Sequence, residues 1–252
     1  MKLARFRYQN TIYYGQVDGS KVFVIEGDIF AQYQVTAKAF ELSQVKLLAP
    51  IDPGKMICVG FNYLSHISEM RKDMPIPEEP VTFMVSPTAV IGPEDVIELP
   101  FSDHEIHHEA ELAVIIGKEA KNISPENADD YILGYTCGND VSDRTLQKKD
   151  GQWTRAKSFP TFKPLGPYIV TDLNPSNLQI QARVNGVVKQ NSNTRHLIKD
   201  VPYLVSFVSQ YMTLKPGDVI MTGTPEGVGP INPGDVCEIE IEGIGILRNP
   251  VR

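Results

Sequence analysis

The stretch Glu109-Ala110-Glu111-Leu112-Ala113-Val114-Ile115-Ile116-Gly117 is an apolar run that begins with two carboxylates. Side chains two residues apart in extended backbone face the same side, so Glu109 and Glu111, which lead into a strand predicted over residues 111–117, are predicted to project from one face. Two like charges held side by side need a cation, or a raised pKa, to relieve their repulsion. Mg²⁺ and Mn²⁺ prefer carboxylate oxygens and would supply that cation. A solvated strand face is the alternative, and Glu-x-Glu spacing alone does not exclude it.

A third acidic candidate, Asp140, follows the apolar and aromatic stretch Tyr131-Ile132-Leu133-Gly134-Tyr135. If Asp140 meets the glutamate pair, three carboxylates hold one face of an octahedral ion and leave three positions for water and a chelating substrate. The alternative is a turn, or the N-cap of a helix that begins nearby, and this alternative fits Asp143 better than Asp140.

Two further segments carry polar side chains in settings that suit catalysis. His66 and Glu69 are three residues apart in a helix predicted over residues 63–70, so the carboxylate can bond one imidazole nitrogen and leave the other as a base. Lys157, within Ala156-Lys157-Ser158-Phe159, is predicted to be partly desolvated and kept charged by a carboxylate or an oxyanion. An ordinary surface contact for His66 and a Lys157 that extends to solvent are the alternatives.

A glycine-rich segment, Met221-Thr222-Gly223-Thr224-Pro225-Glu226-Gly227-Val228-Gly229, precedes the C-terminal strands. Its backbone N–H groups can converge on an anion, and Thr224 adds a hydroxyl. The spacing is not that of a nucleotide-binding loop, and a glycine-rich β-turn is the alternative. The other four histidines are assigned to the surface or to a supporting role, although His107 and His108 are possible alternative ligands. These four are His104, His107, His108 and His196.

Composition excludes several classes of function. The 252-residue chain has 31 acidic and 24 basic residues and a net charge of −7, opposite in sign to a surface that wraps nucleic acid. No uncharged run approaches the ~20 apolar residues of a membrane span, and the N-terminus lacks the apolar core of a signal peptide. Three cysteines without CxxC spacing, Cys58, Cys137 and Cys237, are predicted to be reduced core thiols of a cytoplasmic protein.

The pattern of turns and apolar residues predicts a β-rich α+β chain. Gly and Pro, 19 of each, separate short strands along most of the sequence. Residues 1–50 are predicted to form a small N-terminal antiparallel β module with its linker, and residues 51–252 a larger domain. Helices are predicted from Ser124 and from Asp200, the latter amphipathic over residues 201–212.

The ordered motifs resemble those of the fumarylacetoacetate hydrolase family, in the smaller branch with acylpyruvases, oxaloacetate decarboxylases and hydroxymuconate-type isomerases. The resemblance extends from about Val45 to the C-terminus. Its motifs are Ile57-Cys58-Val59-Gly60-Phe61-Asn62-Tyr63, Glu109-Ala110-Glu111-Leu112-Ala113-Val114, residues 134–147, Ala156-Lys157-Ser158-Phe159, Leu214-Lys215-Pro216-Gly217-Asp218 and Thr222-Gly223-Thr224-Pro225. It implies a mixed β-roll catalytic domain, usually a homodimer, with one Mg²⁺ or Mn²⁺ per subunit.

The resemblance also implies roles for individual residues. Glu109, Glu111 and Asp140 match the metal ligands of the family. His66 and Glu69 match a catalytic pair on a short helix that closes over the substrate, and Lys157 matches a catalytic lysine near the metal. The implied substrate-binding residues are Tyr63, Arg144, Gln147, Gly223 and Thr224.

The sequence departs from the family pattern at two places. Val85-Ser86 stand where many relatives have Lys-Pro, and Asp143 follows Ser142 where Ala is common. Both changes reduce positive charge, so a dianionic substrate is expected to be held less well here, and Val85→Lys is expected to improve its binding.

The predicted activity is metal-dependent hydrolysis of a C–C bond in a 2,4-dioxo acid. The acid chelates the ion, and His66 activates the attacking water. Oxaloacetate decarboxylation and a 2-hydroxyhepta-2,4-diene-1,7-dioate (hydroxymuconate-type) isomerisation or decarboxylation are the alternatives, because the same residues serve all of these reactions. A 2-oxo-acid-binding protein without turnover is the rival from another class, and the oriented pair His66 and Glu69 argues against it.

Overall fold

The computed structural model describes residues 1–70 and 75–252. The strands are β1 Lys2–Tyr8, β2 Thr11–Asp18, β3 Lys21–Gly27, β4 Tyr33–Glu41, β5 Lys46–Leu47, β6 Met56–Gly60, β7 Val81–Val85, β8 Val90–Ile91, β9 Ile106–His108, β10 Ala110–Ile116, β11 Ile132–Asn139, β12 Ser142–Asp143, β13 Lys163–Val170, β14 Gln179–Val184, β15 Val187–Asn193, β16 Val219–Met221, β17 Gly229–Pro230, β18 Val236–Ile241 and β19 Gly245–Pro250. The α-helices are α1 Leu64–Met70, α2 Arg144–Asp150, α3 Thr154–Lys157 and α4 Val201–Tyr211. Short 3₁₀ turns occupy Leu42–Gln44, Pro87–Ala89, Pro125–Tyr131, Pro175–Asn177 and Thr194–His196.

The N-terminal strands form an antiparallel meander, as the alternating sequence predicts. β1 pairs with β2, β2 with β3 and β3 with β4, and Ala4, Phe6, Val22 and Val24 form a small core. β1 also pairs with β13, with Leu3 opposite Ile169. The meander is therefore continuous with the main sheet, and the division of the chain near residue 50 stays a prediction.

The main sheet runs in the order β4-β3-β2-β1-β13-β11-β10-β16-β6-β7. All seven residues of β10 are buried, so both faces of this central strand contribute to cores. Leu112, Val114 and Ile116 lie in one apolar cluster, whereas Ala113 and Ile115 lie in the other. Because side chains alternate along a strand, the two glutamates that begin this run continue the face of Ala113 and Ile115.

A second sheet, in the order β15-β14-β18-β19, packs against the first apolar cluster together with α4. Asp200 caps α4 by accepting a hydrogen bond from Tyr203 N at 3.0 Å, and Val201, Leu204, Val205 and Val208 are buried, which confirms the predicted amphipathic helix. A third, three-stranded sheet, β12-β9-β17, lies beside the carboxylates.

The helix predicted from Ser124 forms as a 3₁₀ turn instead, over Pro125–Tyr131. The Ser124 side chain makes no capping hydrogen bond, and Asn127, Asp129 and Asp130 favour turns over helix interiors because their side chains compete for backbone groups.

The observed architecture is the predicted β-rich α+β fold. Cys58, Cys137 and Cys237 are buried and form no disulfide. None of the helices in the described part of the chain has the length and hydrophobicity needed to span a membrane.

Candidate metal and substrate site

Three buried carboxylates meet where β10 begins and β11 ends. The antiparallel register places Ala110 opposite Asn139 and Glu111 opposite Gly138, and Asp140 N donates to Glu109 O at 2.9 Å. One carboxylate oxygen from each of Glu109, Glu111 and Asp140 lies within 4.8 Å of the others. The structure thus brings together the predicted triad, and its role as a ligand set stays a prediction.

Three buried cations surround two of these carboxylates. Lys157 Nζ lies 2.7 Å from Glu109 Oε2 and 2.7 Å from Asp140 Oδ2, and Arg144 pairs with Glu109. Lys163 Nζ lies 2.7 Å from Asp140 Oδ1. Burial alone would lower the pKa of Lys157, but Asp140 and Glu109 outweigh it and raise that pKa. The expectation that a carboxylate keeps a desolvated Lys157 charged is therefore confirmed.

Glu111 differs from the other two carboxylates. It accepts a hydrogen bond from Gly223 N at 2.8 Å, and no lysine or arginine of the described residues forms an ion pair with it. Burial, Asp140 and Glu109 raise the pKa of Glu111 well above its ordinary value. A divalent cation would compensate the negative charge of Glu111 beside the other two carboxylates. The oxygen-only donor set fits a hard ion such as Mg²⁺ or Mn²⁺.

His66 and Glu69 lie on α1, above the triad. His66 lines the same pocket as the three carboxylates, and its Nδ1 is 3.4 Å from Glu69 Oε2. Burial lowers the pKa of His66 despite the nearby Glu109 and Glu69 carboxylates, so the imidazole is neutral near pH 7. The carboxylate beside Nδ1 favours the tautomer with the proton there, which leaves Nε2 as the basic nitrogen.

Helix α1 is tied to the glycine-rich loop by two contacts. Gly227 N donates to Glu69 at 3.1 Å, and Ser65 Oγ donates to Glu226. The pocket beneath α1 has a free volume of about 20 Å³, room for a water molecule or two. A wider groove of about 610 Å³ lies at the start of α4, but it has no carboxylate cluster, so chemistry rather than volume locates the site.

The predicted substrate-binding residues divide into two groups. Arg144, Gln147 and Thr224 line the pocket, where Arg144 Nη1 donates to Gln147 Oε1 at 2.7 Å. Gly223 donates its N–H to Glu111. Tyr63 is buried and pairs with Leu197 across a β-bridge, and it does not line the pocket. The structure therefore places three of the five at the pocket surface.

The structure places both departures from the family pattern inside the protein. Val85 is 3% exposed and packs in the second apolar cluster, two residues along β7 from the pocket-lining Phe83. Asp143 caps α2 by accepting from Leu146 N at 2.9 Å, and its other oxygen lies 2.6 Å from His104 Nδ1. Neither side chain lines the pocket, and the expected weaker binding of a dianionic substrate stays a prediction.

Several residues of the site gave no signal in the sequence. Lys163 is the first residue of β13, where a lysine is ordinarily expected at the surface, yet it is fully buried. Gln190 is also fully buried and bonds His108 Nδ1 at 3.2 Å. His108 is therefore an interior residue, and neither it nor His107 belongs to the carboxylate cluster.

Comparisons with known proteins find relatives over the whole chain. Residues 55–252 match the model of the fumarylacetoacetate (FAA) hydrolase C-terminal family, and residues 1–50 match an Rv2993c-like N-terminal family. The crystal structure of a 2-hydroxyhepta-2,4-diene-1,7-dioate isomerase from Mycobacterium marinum is 44% identical, with a TM-score of 0.93 over 100% of this chain and 98% of that one.

Two further relatives extend the comparison. A mitochondrial oxaloacetate tautomerase of Xenopus laevis is 45% identical over 83% of this chain and 69% of its own length. A maleylpyruvate hydrolase from Sphingobium sp. SYK-6, solved with manganese(II) and pyruvate, is 30% identical, with a TM-score of 0.82 over 100% of this chain and 98% of that one.

Proposed function

The chain belongs to the fumarylacetoacetate hydrolase family, whose members act on oxo acids, and from this premise we propose that it is a Mg²⁺- or Mn²⁺-dependent tautomerase or isomerase of dicarboxylic 2-oxo acids. The observation that carries the proposal is the buried His66 in the pocket of the carboxylate triad, with the Glu69 carboxylate beside its Nδ1. It supplies a base where a chelated 2-oxo acid would have an acidic C–H bond.

The charges of the site suit a dianionic substrate. The buried Glu109, Glu111 and Asp140 bring three negative charges, and the buried Arg144, Lys157 and Lys163 bring three positive ones. Glu69 is 36% exposed to solvent, which screens its charge, and stands outside this count. A divalent ion adds two positive charges, which two substrate carboxylates would balance in this low-dielectric pocket. A neutral or monoanionic substrate would leave the buried site with excess positive charge.

A proton shuttle by His66 explains the proposed reaction. When bound, the metal ion acts as a Lewis acid and template for the 2-oxo group and its neighbouring carboxylate. His66 Nε2 takes a proton from the carbon next to the oxo group and returns it to the oxygen, or to a distal carbon of a conjugated substrate. Glu69, beside Nδ1, holds the ring and stabilises the transient imidazolium.

The remaining pocket residues would position the substrate. Arg144 and Gln147 form a hydrogen-bonded polar pair, and Thr224 also lines the pocket. Lys157 holds Glu109 and Asp140 together and stabilises negative charge that develops near them.

Proton transfer is supported better than the C–C hydrolysis predicted from the sequence. The relatives named as an isomerase and a tautomerase are 44% and 45% identical to this chain, whereas the maleylpyruvate hydrolase is 30% identical. Proton transfer also needs no positioned water in the pocket. Hydrolysis and decarboxylation become alternative outcomes of the test.

The test follows the ultraviolet absorbance of enol-oxaloacetate as it converts to the keto form with Mg²⁺ or Mn²⁺. We expect acceleration that EDTA abolishes and that His66→Ala reduces roughly 10²- to 10⁴-fold, the usual contribution of a general base. The exposed His196 provides the matched control, because His196→Ala should retain full activity. Cleavage of an acylpyruvate without acceleration of the enol–keto step would overturn the proposal in favour of a hydrolase, and pyruvate release from oxaloacetate would indicate a decarboxylase.

We also propose that the protein is a cytoplasmic homodimer. Three buried cysteines without a disulfide suit a reducing compartment, although the Xenopus laevis relative is named as mitochondrial. Sedimentation equilibrium would test the dimer, and fractionation of cells would test the compartment.

A further inference from the structure

Gln190 joins three parts of the site by hydrogen bonds. It lies on β15 in the second sheet and is fully buried. Its Oε1 accepts from Ala110 N at 2.9 Å, and Ala110 stands between Glu109 and Glu111 in the sequence. Its Nε2 donates to Thr224 Oγ1 at 2.8 Å and to Pro225 O at 2.9 Å.

These partners allow only one orientation of the Gln190 amide. Pro225 O can only accept, so the amide nitrogen must face it. Ala110 N can only donate, so the amide oxygen must face Ala110. The same oxygen lies 3.2 Å from His108 Nδ1, which must therefore carry the proton of that ring.

The orientation of Gln190 determines the role of the Thr224 hydroxyl. Because Thr224 Oγ1 accepts from Gln190 Nε2, its own proton is free to point elsewhere. Thr224 is 4% exposed and lines the pocket of the carboxylate triad. Its hydroxyl is therefore set as a donor toward a ligand in that pocket.

The glycine-rich loop also packs closely on β15 beside Gln190. Gly227 has a φ of +88°, and a Cβ at this position would lie 2.1 Å from Lys189 O. The backbone contact and the Gln190 bonds hold the same four-residue segment, Thr224 to Gly227, against the second sheet.

We propose that Gln190 is a positioning residue that fixes Thr224 as a hydrogen-bond donor to a substrate carboxylate and aligns the loop with the metal-binding strand. The proposal rests on the proposed function, because it assigns Thr224 to an anionic group of the substrate. It also makes Gln190 a determinant of selectivity for carboxylate over neutral groups at this position.

The principal test is Gln190→Met, which keeps the volume of the side chain and removes all of its hydrogen bonds. We expect KM for enol-oxaloacetate to rise roughly 10- to 100-fold, as for loss of an oriented donor to an anion. kcat should change less than about threefold and Mn²⁺ affinity less than about twofold.

Gln190→Glu should raise KM at least as much as Gln190→Met does, because the new carboxylate would accept the Thr224 proton. Asn249 is another buried amide that donates to two carbonyls, Gly92 O and Asp95 O, so Asn249→Asp is the matched control and should leave KM unchanged.

A double-mutant cycle separates positioning from a general effect on folding. Thr224→Val should raise KM by itself, and adding Gln190→Met should raise it less than about twofold further. Independent, multiplicative effects on KM, or a loss of Mn²⁺ affinity equal to the rise in KM, would overturn the proposal.

Calorimetric titration of oxalate into the Mn²⁺-loaded protein keeps this inference separate from the proposed function. Wild type that binds oxalate but does not accelerate the enol–keto step would contradict the proposed reaction alone. In that case a roughly 10-fold or greater loss of oxalate affinity in Gln190→Met would still support the positioning role, and unchanged affinity would exclude it.

Discussion

The two ends of strand β16 hold buried carboxylates in opposite situations. At its start, Asp218 is 1% exposed and accepts from Lys55 Nζ, from Lys55 N at 3.2 Å and from Lys215 N at 2.6 Å. At its far end, Glu111 is 2% exposed and accepts from Gly223 N, with no cation in ion-pair contact among the described residues. Burial is nearly equal, so the difference lies in the partners.

The contrast shows how a buried acid can be assigned to structure or to function. A buried carboxylate is costly unless its oxygens are paired and its charge is compensated. Asp218 has both kinds of partner within the protein, so it can serve the fold alone. Glu111 lacks the compensating charge, and with Glu109 and Asp140 it forms a group that a divalent ion completes.

The largest effect expected from this comparison is on metal binding. Asp140→Asn should weaken Mn²⁺ binding roughly 10³-fold, because a ligand carboxylate should contribute more than the 10- to 100-fold typical of its supporting partners. Asp218→Asn, the same change at the other end of the strand, should leave Mn²⁺ affinity within about twofold. Isothermal titration calorimetry measures both, and equal losses in the two variants would abolish the distinction.

The second largest expected effect is a loss of folding stability, and it is expected when Asp218 is replaced. Asp218→Asn leaves Lys55 without its partner and should lower the free energy of unfolding by about 2–3 kcal/mol. This is below the 3–5 kcal/mol of a fully buried pair, because the Lys55 side chain is 22% exposed. Urea denaturation in EDTA provides the measurement. A loss below about 0.5 kcal/mol would show that the pair at this end is not structural.

How far the sequence could predict this contrast depends on the range of the contacts. The Glu-x-Glu spacing and the apolar run predict the face of β10, and Asp140 follows the strand that pairs with it, so local pattern together with the family resemblance indicates the triad. Lys163 and Gln190 reach the site from positions 23 and 80 residues away from Asp140 and Ala110. Nothing in their own neighbourhoods indicates burial. The same limit applies to Val85 and Asp143, since the sequence gives their positions but does not show that both are buried.

A smaller effect is expected for Glu111→Gln. In EDTA the raised pKa of Glu111 means that the folded protein keeps a proton the unfolded chain releases above about pH 4.5. Wild-type stability therefore falls as pH rises above that value. Glu111→Gln has no carboxyl group to titrate, so its free energy of unfolding does not fall in this way. It should be more stable than the wild type by about 1 kcal/mol at pH 8, the low end of the gain from replacing buried charged groups.

Saturating Mn²⁺ should instead make the wild type more stable than Glu111→Gln. The ion stabilises the wild type by about 2.7 kcal/mol at 100 times Kd and the variant much less. Thermal unfolding with and without metal makes the comparison. An unchanged order would mean that Glu111 does not bind the ion.

The smallest expected effect concerns the position of the acid limb of the pH–rate profile. Burial lowers the pKa of His66 from 6.5, and Glu69 partly opposes this by a hydrogen bond and by its charge. The base is active when unprotonated, so the acid limb of kcat/KM should lie below pH 6.5. Glu69→Gln should move the limb further toward acid, since it removes an interaction that favours the imidazolium. Stopped-flow measurements at saturating Mn²⁺ give the pH–rate profiles of the wild type and of Glu69→Gln. His196→Ala, whose profile should not change, is the reference. An acid limb at the same pH in Glu69→Gln and wild type would show that Glu69 does not act on His66.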